Sequence, residues 1–345
     1  MNRHIINKSV TLHKALTQLN DLRSSSMTLF VVDDDGRMIG TVTDGDIRRA
    51  IVAGAQLTTP VEEAMHKSFE ALYDRRDIHK VKEIRKRKIG LVPYLDSDNH
   101  IIEVVDLSNN KSILPIDAVL MAGGKGERLR PMTLTTPKPL LKIGKKAIID
   151  RNIERLIHFG VRDISVTVNY LKDMLIDHFS QPVDGVEVQC VAEQNFLGTI
   201  GALTLIPDFR NDTILVMNSD LLTDIDFEDF YLHFKEHDAM MSAAAIPYTI
   251  SVPYGIFDLD GRNIKGVSEK PVYNYYANAG IYLIKKEALR YIPQNEVFNA
   301  TDLIDILVSN NQKVVRFPLT SLWIDIGTPD EYHKAQDLIK HIKIG

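Results

Sequence analysis

The chain has very little sulfur chemistry. Cys190 is its only cysteine, so no disulfide and no thiolate metal cluster can form within it, which fits a reducing compartment. No apolar run approaches the roughly 20 residues that a membrane-spanning helix needs. The first residues lack the apolar stretch of a secretory leader. These absences set a cytoplasmic location, with no membrane partner, as the expectation. There is no excess of positive charge either. Lys and Arg total 41 against 46 Asp and Glu, a net charge of -5, so no nucleic-acid partner is expected.

What remains is an ordinary globular composition, 44% apolar and 25% charged over 345 residues, long enough for two domains and a large core. The one basic run, residues 80–88, places Val81, Ile84 and Lys88 at helical spacing and reads as a solvated helix face. A polar break at residues 108–112 divides the chain. The expected domains are 1–110, made of two repeats (about 1–58 and 59–110), and 115–345.

The repeat in the first part is faint but ordered. Residues 29–32, an Asp33-Asp34-Asp35-Gly36 turn and residues 38–42 read as strand, turn, strand, and residues 91–95, 96–99 and 101–105 repeat it. Helical patterns precede both: Leu12, Leu16 and Leu19, then Ile78, Val81 and Ile84. The first copy runs from a strand through Thr43-Asp44-Gly45-Asp46 into a helix. This part resembles the tandem cystathionine-beta-synthase (CBS) pair, an α+β regulatory module. The resemblance implies an adenine or guanine nucleotide at Thr43 and Asp46. In the second copy Glu103 stands in place of the glycine, and Asp106 and Asn109 stand where Thr43 and Asp46 fall. A second nucleotide site is therefore in doubt, and a dimerisation module without ligand is the competing reading.

From residue 116 strand and helix patterns alternate: strand 116–121, helix 148–159, strand 164–168, helix 171–179, strand 186–191, a helix start at 199–205 and strand 213–217. Residues 243–284 are richer in strand and turn signals. Such alternation reads as an α/β layer fold, with a mostly parallel mixed sheet and ligands at the carboxyl ends of its strands.

The most informative stretch is AVLMAGGKGERLRPMTLTTPKPLL, residues 118–141. An apolar strand ends in a glycine loop whose N–H groups can face oxygens. Arg128, Arg130 and Lys138 add cationic donors suited to phosphate. Asp220 follows the apolar residues 213–217, and Asp325 lies far away in Trp323-Ile324-Asp325-Ile326-Gly327-Thr328. Two carboxylates gathered around phosphate oxygens suit Mg²⁺, but spacing alone does not bring them together.

Six motifs stand in order: G-G-x-G-x-R-L-x-P, P-K-P, an aspartate after a sheet strand, E-K-P, N-A-G and W-x-D-x-G-T. In that order they resemble the sugar-1-phosphate nucleotidylyltransferases, over roughly residues 116–345, which implies a Rossmann-like nucleotidyltransferase domain. The resemblance implies that Gly123, Gly124 and Gly126 lie under base and phosphates and that Arg128 binds the triphosphate. It implies that Lys138 bridges the two phosphate groups and that Asp220 and Asp325 hold Mg²⁺. It also implies a sugar pocket of Gly255, Glu269 and Asn278, with Lys270 on the sugar phosphate. Ser219 departs from the glycine usual before the metal aspartate. No acid–base role falls to any of the 11 histidines.

Glu193, followed by Gly198-Thr199 and a helix start, stands where related thymidylyltransferases carry a glutamine. An ionised carboxylate accepts only. Guanine offers two adjacent donors where uracil or thymine offers one, so Glu193 favours GTP. The fusion of a CBS pair to such a domain resembles bacterial surface-glycan and nonulosonate enzymes, with glucosamine 1-phosphate as the expected acceptor. Mannose 1-phosphate and heptose 1-phosphate stay open. Face-to-face association of CBS pairs implies a homo-oligomer. Two other classes share parts of the pattern: a nucleotide-sensing protein with an inactive lobe, and a pterin guanylyltransferase.

Overall fold

The computed structural model describes residues 3–22, 27–74 and 77–341. The chain divides into two compact units: residues 1–115 with 158–160, and residues 116–157 with 161–345.

The first unit is built twice from one plan. Strand Ile5–Asn7 pairs in parallel with Thr28–Val32, which pairs antiparallel with Met38–Thr43. Helix Leu12–Asp21 buries Leu12, Ala15 and Leu19 against them. In the second copy Leu72 makes the parallel bridge, to Tyr94. Helix Ile78–Lys86 buries Ile78, Val81 and Ile84, and Leu91–Leu95 pairs with Ile101–Asp106. Phe30, Met38, Leu91 and Leu95 share one core cluster, so the copies pack face to face. The basic helix ends at Lys86 rather than running through Lys88, which takes a φ of 60° beyond it. Helix Asp44–Val52 follows only the first copy; the second passes into a turn at Asp106–Asn109.

The second unit is layered around a seven-stranded sheet. Its order is Val188–Ala192, Asp163–Val168, Asp117–Met121, Thr213–Asn218, Val272–Lys285, Met241–Ser251, Val314–Pro318. The first four strands are mutually parallel. Strand Val272–Lys285 runs antiparallel to both its neighbours, and Val314–Pro318 is parallel to Met241–Ser251. The mixed, mostly parallel sheet expected from the alternation is what forms. Ala118, Val119 and Leu120 are at most 1% exposed, as a central strand covered on both faces requires. Helix Ile148–His158 turns Ile149, Ile153 and Leu156 inward. The expected helix start at 199–205 is a 3₁₀ segment, Gly201–Leu205.

Two registers position the site. Met121 is paired with Asn218, so the glycine loop and Asp220 leave the sheet side by side at its carboxyl end. A small antiparallel pair, Leu221–Thr223 with Trp323–Asp325, sets Leu221 opposite Asp325. Beyond a bulge at Ala243/Ala245 the long strands continue as a ribbon, residues 247–251 with 272–276. A hairpin, Ile256–Asp260 with Asn263–Ser268, lies between them in sequence, and every one of its strand residues is exposed.

Candidate active site

A cleft of about 370 Å³ opens at the carboxyl ends of the central strands, lined by the glycine loop, Arg128, Lys138, Ser219, Asp220 and Gly327. Its size suits a nucleotide or sugar phosphate. A larger cavity of about 480 Å³ lies at the opposite end of the sheet, around Asp117, Arg162 and Arg210. None of the expected site residues lines it.

The loop's shape follows from its glycines. A Cβ on Gly123 would stand 2.7 Å from Oε1 of Glu193. Gly126 adopts a φ of 60°, and its carbonyl accepts the Thr133 hydroxyl at 2.8 Å. Gly124 faces open space. The loop then enters a short turn, Glu127–Leu129, that carries Arg128. A Cβ on Gly327 would come within 2.9 Å of the Arg128 guanidinium. The glycine of the W-x-D-x-G-T stretch thus lets Arg128 lie beside Asp325.

The charges converge. The Lys138 ammonium pairs with Asp220 and lies 3.8 Å from Oδ1 of Asp325. These side chains are 12%, 20% and 39% exposed, so the cluster is only partly screened by water. Burial, and then the neighbouring Asp220, push the Asp325 carboxyl above the usual range, against the pull of Lys138 and Arg128. Oδ1 of Asp220 is buried without a hydrogen-bond partner. An orphaned carboxylate oxygen is costly unless something cationic comes to it. Among the described residues no group of three or more His, Cys, Asp or Glu could hold a metal. Two carboxylates are nevertheless enough for Mg²⁺, which keeps several waters and takes substrate phosphates as ligands. The donor set fits that ion.

Asp220 is held from both sides, by Ser219 and by an asparagine that sequence reading passed over. The Ser219 hydroxyl donates to the Met121 carbonyl at 2.6 Å. Asn152, 3% exposed, donates to the carbonyls of Ser219 and Leu221. The available signal was an asparagine on the apolar stripe of its helix.

Other expected residues fall elsewhere. Glu193 is 2% exposed; its Oε2 accepts the Leu197 N–H at 2.9 Å, and burial pushes its carboxyl up against that bond and one from Thr167. It braces the turn before Gly198, whose backbone abuts the Phe298 carbonyl. The acceptor pair invoked for guanine is thus engaged inside the protein. Glu269 and Lys270 are exposed at the end of the hairpin, Lys270 with a φ of 44°, and Gly255 lies against Glu269. The Asn278 amide donates to the Tyr282 hydroxyl at 2.7 Å, and its oxygen accepts the Gly280 N–H. Trp323 donates to the Ala279 carbonyl, a packing role. In the first unit Thr43 and Asp46 form a capping box: Asp46 accepts from the backbone and hydroxyl of Thr43 and pairs with Arg49.

Residues 117–341 match the nucleotidyl transferase family model. The chain belongs to that family. Residues 1–53 match the CBS domain model. The mannose-1-phosphate guanyltransferase of Candida albicans is 32% identical over 224 residues, 62% of this chain and 62% of that protein. The mannose-1-phosphate guanylyltransferase catalytic subunit beta of Dictyostelium discoideum is 29% identical over 230 residues, 64% of each. The chain thus spans under two thirds of the length of these relatives. The crystal structure of HddC from Yersinia pseudotuberculosis is 27% identical with a TM-score of 0.52, covering 65% of this chain and 99% of that one. The same protein has been solved complexed with GMP-PN.

Proposed function

We propose that the chain transfers a nucleotidyl group from a nucleoside triphosphate to a sugar 1-phosphate, releasing pyrophosphate. The observation that carries this reading is the Lys138 ammonium set between Asp220 and Asp325 at the mouth of the glycine loop. An oxygen of the sugar phosphate attacks the α-phosphorus in line. The new O–P bond forms as the bond to pyrophosphate breaks. The nucleophile is already an anion, so no general base is needed and no histidine is assigned. Loop N–H groups and Arg128 hold the triphosphate, Lys138 neutralises charge at the reacting phosphorus, and Lys270 grips the sugar phosphate. Gly255, Glu269 and Asn278 form the sugar pocket. Mg²⁺, held by Asp220 and Asp325, supplies further charge withdrawal from the phosphate oxygens when bound.

Guanosine triphosphate is the proposed donor. The names of the relatives and the neighbour complexed with GMP-PN support it; Glu193, buried and bonded within the protein, adds no support. For the acceptor, the fused CBS domain favours glucosamine 1-phosphate of a surface-glycan or nonulosonate route, and the relatives' names favour mannose 1-phosphate. The remaining parts are a CBS module of two repeats over 1–110, nucleotide at Thr43 and Asp46, a homo-oligomeric assembly and a cytoplasmic location. A matrix of nucleoside triphosphates against sugar 1-phosphates, read by product mass, tests the assignment. Faster turnover with UTP or dTTP than with GTP would refute the donor. No NDP-sugar from any pair would refute the activity.

A further inference from the structure

We propose that Asn152 is a positioning residue for the metal carboxylate Asp220, acting with the Ser219 hydroxyl as a clamp on the peptide units around it. The inference rests on the reading of Asp220 as a metal ligand. Asn152 lies on the buried face of helix Ile148–His158, among Ile148, Ile149, Ile153 and Leu156. A polar amide on such a stripe is costly unless both its donors are used. They are used on two carbonyls that flank one residue: Nδ2 donates to Leu221 O at 3.0 Å and to Ser219 O at 3.4 Å. On the other side, Ser219 Oγ and N both donate to Met121 O, at 2.6 and 3.3 Å. Asp220 is therefore tied to the helix by one bridge and, by another, to the end of the strand that leads into the glycine loop. Its Oδ1 has no hydrogen-bond partner, while Oδ2 pairs with Lys138, so the aim of Oδ1 rests on that one pair and on the backbone beneath it. A ligand oxygen so placed depends on its support for its aim. The alternative is that Asn152 serves stability alone.

Asn152→Leu keeps the shape and removes both bonds; Asn152→Asp turns the donor into an acceptor facing two carbonyls. In the full chain both variants should bind Mn²⁺ alone about tenfold more weakly than wild type by water-proton relaxation. Both should need correspondingly more Mg²⁺ for half-maximal pyrophosphate release, with the KM of the sugar phosphate unchanged. Ser219→Gly should move the same readouts about threefold. Ile153→Val, on the same helix face, should lower Tm without touching either metal readout. Mn²⁺ affinity in Asn152→Leu equal to wild type, or no Mn²⁺ binding by wild type, overturns the clamp. A wild-type chain that binds Mn²⁺ and shows the Asn152 dependence yet forms no NDP-sugar overturns the catalytic reading and leaves the clamp standing. If the Leu variant does not fold, the Ser219→Gly result decides: unchanged Mn²⁺ affinity there overturns the clamp.

Discussion

Lys138 faces two carboxylates, and removing it leaves them to repel each other. Lys138→Met should cost on the order of 2 kcal/mol near neutral pH, below the range for fully buried pairs because water reaches Asp325. Asp325 already has a raised carboxyl pKa from burial and from Asp220. A native state that holds the proton more tightly than the unfolded chain gains stability as pH falls through that raised value. Thermal melts across pH should therefore show the Lys138→Met deficit narrowing on the acid side; a deficit constant with pH would contradict the account. Asp220→Asn should lower pyrophosphate release by about 10²-fold or more with little change in melting. Glu193 makes a different case. Burial raises its pKa, and glutamine can still accept the Leu197 N–H. Glu193→Gln should melt at or above wild type at neutral pH, the difference closing as pH drops, whereas Glu193→Ala should lose about 1–3 kcal/mol. Asp220 and Asp325 were legible as carboxylates near strand ends, but their meeting was not, because it depends on a register between distant segments. Glu193 was misleading for a physical reason: a glutamate is rarely fully buried, so an accessible base-reading carboxylate was the natural expectation.

Helices announce themselves through their apolar stripes, and Ile149, Ile153, Leu156 and Ile157 marked one to within a residue of its observed end. The short 3₁₀ turns that carry Arg128 and Lys138 left no such trace, since three residues span less than one period. Three helix starts carry reciprocal caps, in which an N-cap side chain and the N3 acid exchange bonds: Thr43 with Asp46, Asn299 with Asp302, Thr328 with Glu331. Thr43→Ala should destabilise the first unit by about 1 kcal/mol, and Thr43→Ser should restore most of it, measured by denaturant melts. Hydrogen bonds from Thr43 and Arg49 outweigh burial and hold the Asp46 carboxyl below its usual range. This contribution is present above the ordinary aspartate pKa and is lost as pH falls through the lowered one.

At the scale of the whole molecule, the alternation of patterns foretold the parallel half of the sheet but not the ribbon that leaves it. Alternation reports burial on one face, and the ribbon is exposed on both. Tyr248, Tyr254, Phe257, Leu259, Ile264, Val267, Tyr275 and Tyr276 are each more than half exposed. So many exposed apolar side chains along one stretch of the chain suit an interaction face, in keeping with the proposed self-association. Sedimentation of the full chain should give a mass above that of one 39.0 kDa chain, falling with Phe257→Glu and Tyr276→Glu together. An unchanged mass would place the contact elsewhere.

The pairing of Leu221 with Asp325 also has a temporal side. A polypeptide emerges from the ribosome N-terminus first, so the glycine loop, Lys138 and Asp220 are all made well before their last companion. Until residue 325 clears the exit tunnel, the nascent lobe lacks one of the two carboxylates of the proposed cation seat, and on that proposal a partly synthesised chain should not turn over nucleotide.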